Sequence, residues 1–328
     1  MIKTSKQLLK EFTFIDLFAG IGGFHLALAS LGAKCVYANE WDKYAKQTYQ
    51  ANFQMIPDDD ITKANPTSIP HHDILCAGFP CQAFSISGKQ LGFNDTRGTL
   101  FFNVANIIKI KHPKIVFMEN VKNLLHHDHG NTFQVIKNTM DELGYDFYYE
   151  VLNAKDYGIP QNRERLYMVG FAKELNIHTF KFPSKISLRK HVIDLLEPAV
   201  DVSYEYFPKL DDIKLNYPLD LKVANNPVRI GIINKGGQGE RIYNPYGVGI
   251  TLSAYGGGKF AKTGGYFINN KVRKLTPKEC ARMMGFPGSF QIVCSNQQAY
   301  KQFGNAVVVD VLQYIAIEIA KTYLANRK

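Results

Sequence analysis

Hydrophobic and polar positions follow two alternating patterns along the first half of the chain. Short apolar runs bounded by turn residues predict buried strands, and the amphipathic stretches between them predict helices. We predict strands at residues 12–18, 35–39, 74–77, 115–118, 145–152 and 165–171, and helices at residues 22–30, 43–52 and 132–143. This alternation predicts an α/β fold with a doubly wound, mostly parallel sheet.

The pattern changes after about residue 190, where periodic signals weaken. Residues 231–265 contain 11 glycines, which predicts short strands joined by tight loops. Farther on, residues 276–284 begin with helix-start signals, and residues 307–324 have helical apolar spacing. We predict a first domain of residues 1–193 and 304–328, a smaller, glycine-rich and mainly β domain of residues 194–275, and a hinge of residues 276–303.

Charge changes the interpretation of the glycine-rich segment. The chain has 328 residues and a net charge of +10, which favours a polyanionic partner. Residues 229–274 hold eight Lys or Arg against the single acid Glu240. Glycine loops among basic residues suit phosphate contact and close approach to a nucleic-acid groove. A basic solvated face would explain the charge but not the glycines.

Several classes of protein are disfavoured by simple features. The amino-terminal segment lacks the apolar core of a secretory signal, and we see no run long enough for a membrane span, so we expect a cytoplasmic protein. The five cysteines include no Cys-x-x-Cys pair. We therefore expect neither a disulfide framework nor a metal site.

A nucleoside pocket is predicted around residues 16–23 (DLFAGIGG), which end the first strand and open a helix. Glycines there allow a ligand close to the backbone, and the Gly-x-Gly-Gly spacing counts against a dinucleotide. Glu40 follows the second strand and is placed to hold ribose hydroxyls. Trp41 offers a face for adenine, and Asp60 an acceptor for an exocyclic amine. Each acid alone is better explained as a solvated loop residue. Together, at the carboxyl ends of consecutive strands, they indicate a nucleoside pocket.

A candidate nucleophile follows the third strand. Cys81 comes directly after Pro80, which is a poor position for core packing and a good one for a reactive thiolate, provided its pKa is lowered. The polar, glycine-punctuated residues 84–100 have the composition of a mobile lid.

Charged residues on the following strands complete the candidate site. Glu119 follows the apolar strand at residues 115–118, where a capping or ion-paired role is the alternative. Arg163 and Arg165 lie two apart in an extended segment and are predicted to point the same way, towards Glu119 or a substrate carbonyl. A surface basic pair is the alternative.

These motifs together resemble a known family. FAGIGG, GFPCQ, ENV, QNRER and GNAV occur between Phe18 and Val307 in the order found in DNA cytosine-5 methyltransferases. Five ordered blocks are far more specific than any one of them. The strings KGGQGERIY and TLSAYGGG extend the resemblance to HhaI-type bacterial modification enzymes.

The resemblance implies a reaction and a set of residues. It implies methyl transfer from S-adenosylmethionine to carbon 5 of a cytosine flipped out of duplex DNA. Cys81 would be the nucleophile, Glu119 would bind the base, Arg165 would hold its carbonyl and Arg163 would support the site. The implied cofactor-binding residues are Phe18, Ala19, Gly20, Gly22, Gly23, Glu40, Trp41, Asp60, Ile61, Pro80, Leu100 and Asn305.

The same resemblance implies DNA contacts in the glycine-rich domain and the lid. Gln238 would fill the gap left by the flipped base, and Ser87 would enter from the other groove. Arg241 would read guanine, with Thr251 and Tyr255 as further contacts. The expected target is GCGC, methylated at the inner cytosine by the monomeric modification enzyme of a restriction-modification system, with no obligate protein partner and no membrane.

Four other classes of protein are less consistent with these residues. An RNA cytosine methyltransferase commonly carries its nucleophile on another strand loop, whereas here the cysteine directly after Pro80, together with the ENV motif, favours DNA. A zinc deaminase needs His-x-Glu and Pro-Cys-x-x-Cys, which this chain lacks. A nicotinamide oxidoreductase needs a different glycine spacing. A catalytically inactive DNA-binding module would need a defect outside the named residues.

Overall fold

The computed structural model describes residues 7–80, 100–206, 213–216 and 221–327. The chain divides into two compact units. The first comprises Met1–Leu152, Glu164–Ser184 and Val311–Lys328, and the second comprises Asn153–Arg163 and Lys185–Asp310.

The first unit is built on a six-stranded sheet with the order β2-β1-β3-β4-β6-β5. Its strands are β1 (Thr13–Leu17), β2 (Lys34–Asn39), β3 (Ile74–Ala77), β4 (Ile115–Val121), β5 (Tyr145–Asn153) and β6 (Glu164–Ala172). The first four strands are parallel, and β6 runs antiparallel to β4. The predicted doubly wound, mostly parallel sheet is therefore confirmed.

Strand order defines where a ligand crevice belongs. Strand β1 lies between β2 and β3, so the chain leaves β1 towards one edge and later crosses to the other side. In open α/β sheets, ligands bind at the carboxyl ends of the strands beside such a switch in order. The residues that follow β1, β2 and β3 are those predicted to bind the cofactor and carry the nucleophile.

Among the described residues, four α-helices lie between successive strands of this sheet along the chain: α1 (Gly23–Ala29), α2 (Lys43–Phe53), α3 (Leu100–Lys111) and α4 (Asn131–Glu142). The three predicted helices are confirmed within a residue or two. Helix α3 was not predicted, because its sequence is apolar on most positions and lacks clear helical periodicity. Its buried residues join those of β3 and β4 in one core cluster.

The second unit contains a six-stranded sheet with the order β7-β12-β11-β10-β9-β8. Its strands are β7 (Glu205–Tyr206), β8 (Ile213–Leu215), β9 (Arg229–Ile233), β10 (Arg241–Tyr243), β11 (Gly265–Ile268) and β12 (Lys271–Lys274). None of these described strands of the second unit exceeds five residues. The predicted short strands joined by tight, glycine-rich loops are confirmed.

Helices of the second unit are α5 (Pro277–Met283) and α6 (Asn296–Asn305). Helix α5 starts as predicted, because the Thr276 hydroxyl accepts from the Glu279 amide while the Glu279 carboxylate accepts from the Thr276 amide. The Glu279 carboxylate also pairs with the buried Arg273 guanidinium at 2.7 Å. Helix α6 was not predicted.

The carboxy-terminal helix α7 (Val309–Asn326) carries a buried stripe on one face. The buried residues of this face that belong to the first unit are Val311, Leu312, Ile315, Ala316, Ile319 and Ala320. By length and composition, the stretch Asn296–Asn326 could span a membrane, but 67% of its apolar window is buried inside the protein, as in a core helix. The backbone also leaves helical geometry at Ala306, between α6 and α7.

The compact units and the predicted functional domains do not share all their bounds. The second unit includes residues 153–163, 185–193 and 304–310, which the sequence prediction grouped with the first domain. Compactness does not show which segments hold cofactor or DNA, so the functional domains stay a prediction.

Candidate active site

The turn after β1 has an unusual backbone. Phe18, Gly20 and Gly22 all have positive φ, at 54°, 56° and 86°. Left-handed conformation is uncommon for a residue with a side chain, so Phe18 is held in a strained geometry that clusters at functional sites. A Cβ added at Gly20 would meet no atom within 4 Å, which leaves open space beside this turn for a ligand.

Glu40 joins this turn to the segment after β2. Its carboxylate accepts hydrogen bonds from the Gly20 amide at 2.8 Å and the Asp42 amide at 2.7 Å, one on each oxygen. Burial raises the pKa of Glu40, and hydrogen bonds from the Asp42, Gly20 and Trp41 amides oppose that shift. A carboxylate has about four acceptor positions, so this group can still accept from a ribose hydroxyl.

Trp41 lies beside this carboxylate with 80% of its surface exposed. Large aromatic side chains are usually well covered, so an indole exposed to this degree fits a stacking surface for a planar ligand. The next residue, Asp42, caps α2 by accepting from the Tyr44 and Ala45 amides. The end of β2 therefore runs directly into the start of α2.

Asp60 and Ile61 occupy a separate short turn. The Asp60 carboxylate accepts from the amide and hydroxyl of Thr62, and these hydrogen bonds lower the pKa of Asp60. An ionised, partly exposed acid can accept from an exocyclic amine. Ile61 is buried and fixes the turn against the core.

Strand β3 leads towards the predicted nucleophile. Cys81 and Ser87 lie outside the described residues, and the description resumes at Leu100, the first residue of α3. Up to that gap, Asn120 donates from its buried amide to the Phe79 carbonyl at 2.8 Å. Asn120 thus ties β4 to the backbone just before Pro80. Sequence reasoning missed this role, although a polar residue within an apolar strand was a usable signal.

Glu119 and Arg165 form an ion pair on neighbouring strands. The Arg165 Nε atom lies 3.2 Å from the Glu119 Oε1 atom, and both side chains are largely buried. Strand β4 extends to Val121, so Glu119 lies within the strand rather than after it as predicted. The cause is β6, which pairs with β4 as far as Val121 opposite Arg165. Glu119 and Arg165 are consequently diagonal neighbours on one face.

Arg163 belongs to the second unit and binds main-chain carbonyls there. Its guanidinium donates to Leu252 at 3.0 Å, Gly304 at 3.1 Å and Ala306 at 2.8 Å. Asn305, the predicted cofactor residue between the last two, is exposed. The arrangement suits a supporting role for Arg163, because one planar cation fixes three backbone oxygens.

Predicted DNA-contacting residues of the second unit differ in exposure. Gln238 and Tyr255 are exposed, whereas Arg241 and Thr251 are half-buried. The Thr251 hydroxyl donates to the Asn162 carbonyl. Among these side chains, Gln238 and Tyr255 are the ones presented fully to solvent.

Close backbone packing holds the glycine loops together. The Phe260 amide donates to the Gly239 carbonyl at 2.8 Å. A Cβ at Gly239 would overlap the carbonyl of Gly257, so no larger residue fits there without movement. In the part of the chain that the structure describes, no group of three or more His, Cys, Asp or Glu side chains is arranged to hold a metal ion.

Comparison with known proteins identifies the family of this chain. The model of the C-5 cytosine-specific DNA methylase family matches residues 12–321, and the chain belongs to that family. The chain is 58% identical to the type II methyltransferase M.HhaI of Haemophilus parahaemolyticus over 322 residues, 98% of each chain. It is 45% identical to M.SsoII of Shigella sonnei, covering 95% of this chain and 81% of that protein.

Solved structures support the fold. The Dnmt2 methyltransferase of S. pombe superposes with a TM-score of 0.71 at 20% identity, covering 93% of this chain and 97% of that one. A putative DNA modification methyltransferase from an E. coli prophage gives a TM-score of 0.68 at 19% identity, covering 94% and 99%.

Proposed function

We propose that this enzyme transfers a methyl group from S-adenosylmethionine to carbon 5 of the inner cytosine in GCGC, as the modification enzyme of a type II restriction-modification system. The observation that carries the proposal is the order of functional residues along one sheet. Glu40 and the glycine turn follow β2 and β1, while Glu119 and Arg165 lie on β4 and β6, with the β3 end between the two sets. We expect a monomer acting in the cytoplasm.

The residues of the β1–β2 edge fit the proposed cofactor. The open space at Gly20 admits a ligand to the backbone, and Glu40 retains acceptors for ribose hydroxyls. Trp41 supplies an exposed aromatic face and Asp60 an ionised acceptor. When bound, S-adenosylmethionine supplies an electrophilic methyl on a sulfonium centre.

The residues on the other side of β3 fit activation of cytosine. In the proposed reaction the Cys81 thiolate adds to carbon 6 of the ring, and a proton is held at nitrogen 3 beside Glu119. Arg165 donates to the base carbonyl. Carbon 5 thereby becomes nucleophilic and takes the methyl group. Loss of the carbon 5 proton and expulsion of the thiolate restore the aromatic ring and the enzyme.

Access to cytosine requires that the base leave the stack, at a cost of a few kcal/mol. The exposed Gln238 is proposed to occupy the vacated position, and Ser87 to reach the same place from the other groove. Arg241 is proposed to read guanine, with Thr251 and Tyr255 in support. The GCGC target rests on the likeness of these loops to HhaI-type enzymes.

Methyl transfer to defined duplexes tests the proposal. Labelled S-adenosylmethionine would be supplied with a GCGC duplex, a scrambled duplex of equal composition, and a GCGC duplex already methylated on both strands. Incorporation into the unmethylated GCGC duplex alone is expected. Incorporation into the scrambled duplex alone would overturn the target, and incorporation into none of them would overturn the activity on DNA.

A further inference from the structure

Three aromatic residues form a cluster beside the glycine turn of the first unit, and two of their rings pack against it. None of the three has a part in the proposed reaction. His25 lies on α1, and Tyr49 and Phe53 lie one helical turn apart on α2. The His25 and Phe53 rings are stacked, with centroids 3.9 Å apart and planes 13° apart. His25 Nδ1 and the Tyr49 hydroxyl are joined by a hydrogen bond of 2.7 Å. We call these three residues the aromatic cluster.

The aromatic cluster contacts the turn directly at two residues. A Cβ added at Gly22 would overlap the Phe53 ring, so that ring lies against the Gly22 backbone. Tyr49 is fully buried and packs with Ala19 of the turn and Ala38 of β2. Because interiors are close-packed, a shift of these rings would move the turn.

Interactions within the cluster do not depend on charge. Burial lowers the pKa of His25 to about 4, so its imidazole is neutral at physiological pH. A neutral imidazole keeps one donor and one acceptor nitrogen, either of which satisfies a hydroxyl partner. The Tyr49 hydroxyl also lies 3.8 Å from the Cys35 sulfur atom on β2. The link between α1 and α2 therefore persists over the working pH range.

The cluster connects the same two segments that Glu40 connects. Glu40 binds the amides of Gly20 in the turn and Asp42 at the start of α2. The aromatic cluster joins α1, which the turn opens, to the body of α2. Two separate sets of contacts thus join the turn and α1 to the segment that follows β2.

We propose that His25, Tyr49 and Phe53 are positioning residues that set the spacing between the glycine turn and Glu40, and thereby the affinity for S-adenosylmethionine. The inference rests on the proposed cofactor. It assigns to the cluster an effect on cofactor binding rather than on methyl transfer.

Tyr49→Phe tests the proposal, because it deletes the hydroxyl and keeps the ring. Removing one hydrogen bond changes an equilibrium constant by roughly 2- to 12-fold. Calorimetry is expected to show S-adenosylmethionine and S-adenosylhomocysteine bound about 3- to 10-fold more weakly, with kcat at saturating cofactor altered less than about 2-fold. DNA affinity should stay unchanged.

Tyr145→Phe is the matched control, because the Tyr145 hydroxyl donates to the buried Pro113 carbonyl at 2.6 Å and lies in a different core cluster. It makes the same chemical change, and cofactor affinity should not move. Equal weakening by both variants would overturn the inference in favour of general destabilisation.

A double-mutant cycle with His25→Phe tests whether the hydroxyl acts through the imidazole. Tyr49→Phe is expected to cost little further affinity once His25 is replaced. Wild-type protein that binds no S-adenosylmethionine would overturn the proposed function itself. Wild-type binding that Tyr49→Phe leaves unchanged would overturn only the positioning role.

Discussion

The edge of the parallel sheet and the glycine loops of the second unit position their residues in different ways. At the sheet edge, side chains follow strand ends and are held by hydrogen bonds, as Glu40 is by two amides. In the loops, backbone packs on backbone, as Gly239 does against Gly257. The first region should therefore be sensitive to changes of side-chain chemistry, and the second to volume added where backbone packs on backbone.

Cys81→Ser should give the largest effect at the sheet edge. A serine hydroxyl is a much weaker nucleophile than a thiolate, so kcat should fall by more than roughly 10⁴-fold. DNA affinity should be retained, since the side chain changes little in size. Methyl incorporation and gel-shift binding would be measured together. Substantial turnover by the serine variant would remove Cys81 as the nucleophile.

Glu119→Gln should give the next largest effect. The amide has nearly the same shape but cannot hold a proton beside the base, so kcat should fall by roughly 10²- to 10³-fold with cofactor affinity unchanged. Glu164→Gln is the matched control. Glu164 forms an exposed ion pair, in which its Oε2 atom lies 3.1 Å from the Lys122 Nζ atom. A parallel loss of cofactor binding by Glu119→Gln would make the residue structural.

Gly239→Ala should disturb the second region selectively. The added methyl would overlap the Gly257 carbonyl, so unfolding free energy should fall by about 3 kcal/mol and DNA binding should weaken. Gly257→Ala adds its methyl to open space and should cost less than about 1 kcal/mol. Urea unfolding and calorimetry would be used. If cofactor affinity fell along with DNA affinity, the effect would not be confined to the glycine loops and the proposed difference between the two regions would be wrong.

Asp310→Asn should give the smallest effect, and the size of that effect should depend on pH. Burial raises the pKa of Asp310 from 3.8 to about 6, so the folded protein favours the protonated acid. The favourable contribution of protonated Asp310 to folding stability is present below the pKa of the unfolded chain. It is lost as pH rises through about 6. Unlike Glu40, which accepts from two neighbouring amides, Asp310 should tolerate neutralisation.

The asparagine variant should therefore be about 1–2 kcal/mol more stable near pH 8, after allowance for partial exposure. The gain should disappear near pH 4, where the aspartic acid is itself protonated. Urea titrations at both pH values provide the measurement. An equal gain at both would show that charge burial is not its cause.

Much of the first unit could be predicted from the sequence because each buried strand is a short apolar run followed by a polar or glycine-rich turn. Residues such as Glu40 and Glu119 were recognisable because they come at or near the ends of such runs. The extension of β4 to Val121 was not predictable, because it depends on pairing with β6, which follows much later in the chain.

The rest depends on contacts between distant segments. Asn120 holds the Phe79 carbonyl across 41 positions, and Arg163 binds carbonyls more than 80 positions away. Glycine content predicted loops in the second unit but not that Gly239 meets Gly257. Local patterns carry no information about such partners, so their positions became known only from the fold.

Trapping with 5-fluorocytosine tests the central claim most directly. Fluorine in place of the carbon 5 hydrogen permits addition and methyl transfer but blocks the final loss of a proton, so an adduct should persist. A GCGC duplex fluorinated at the inner cytosine should form a covalent complex that requires S-adenosylmethionine and maps to Cys81, and fluorination of the outer cytosine should not. Absence of a complex, or attachment at another residue, would contradict the account.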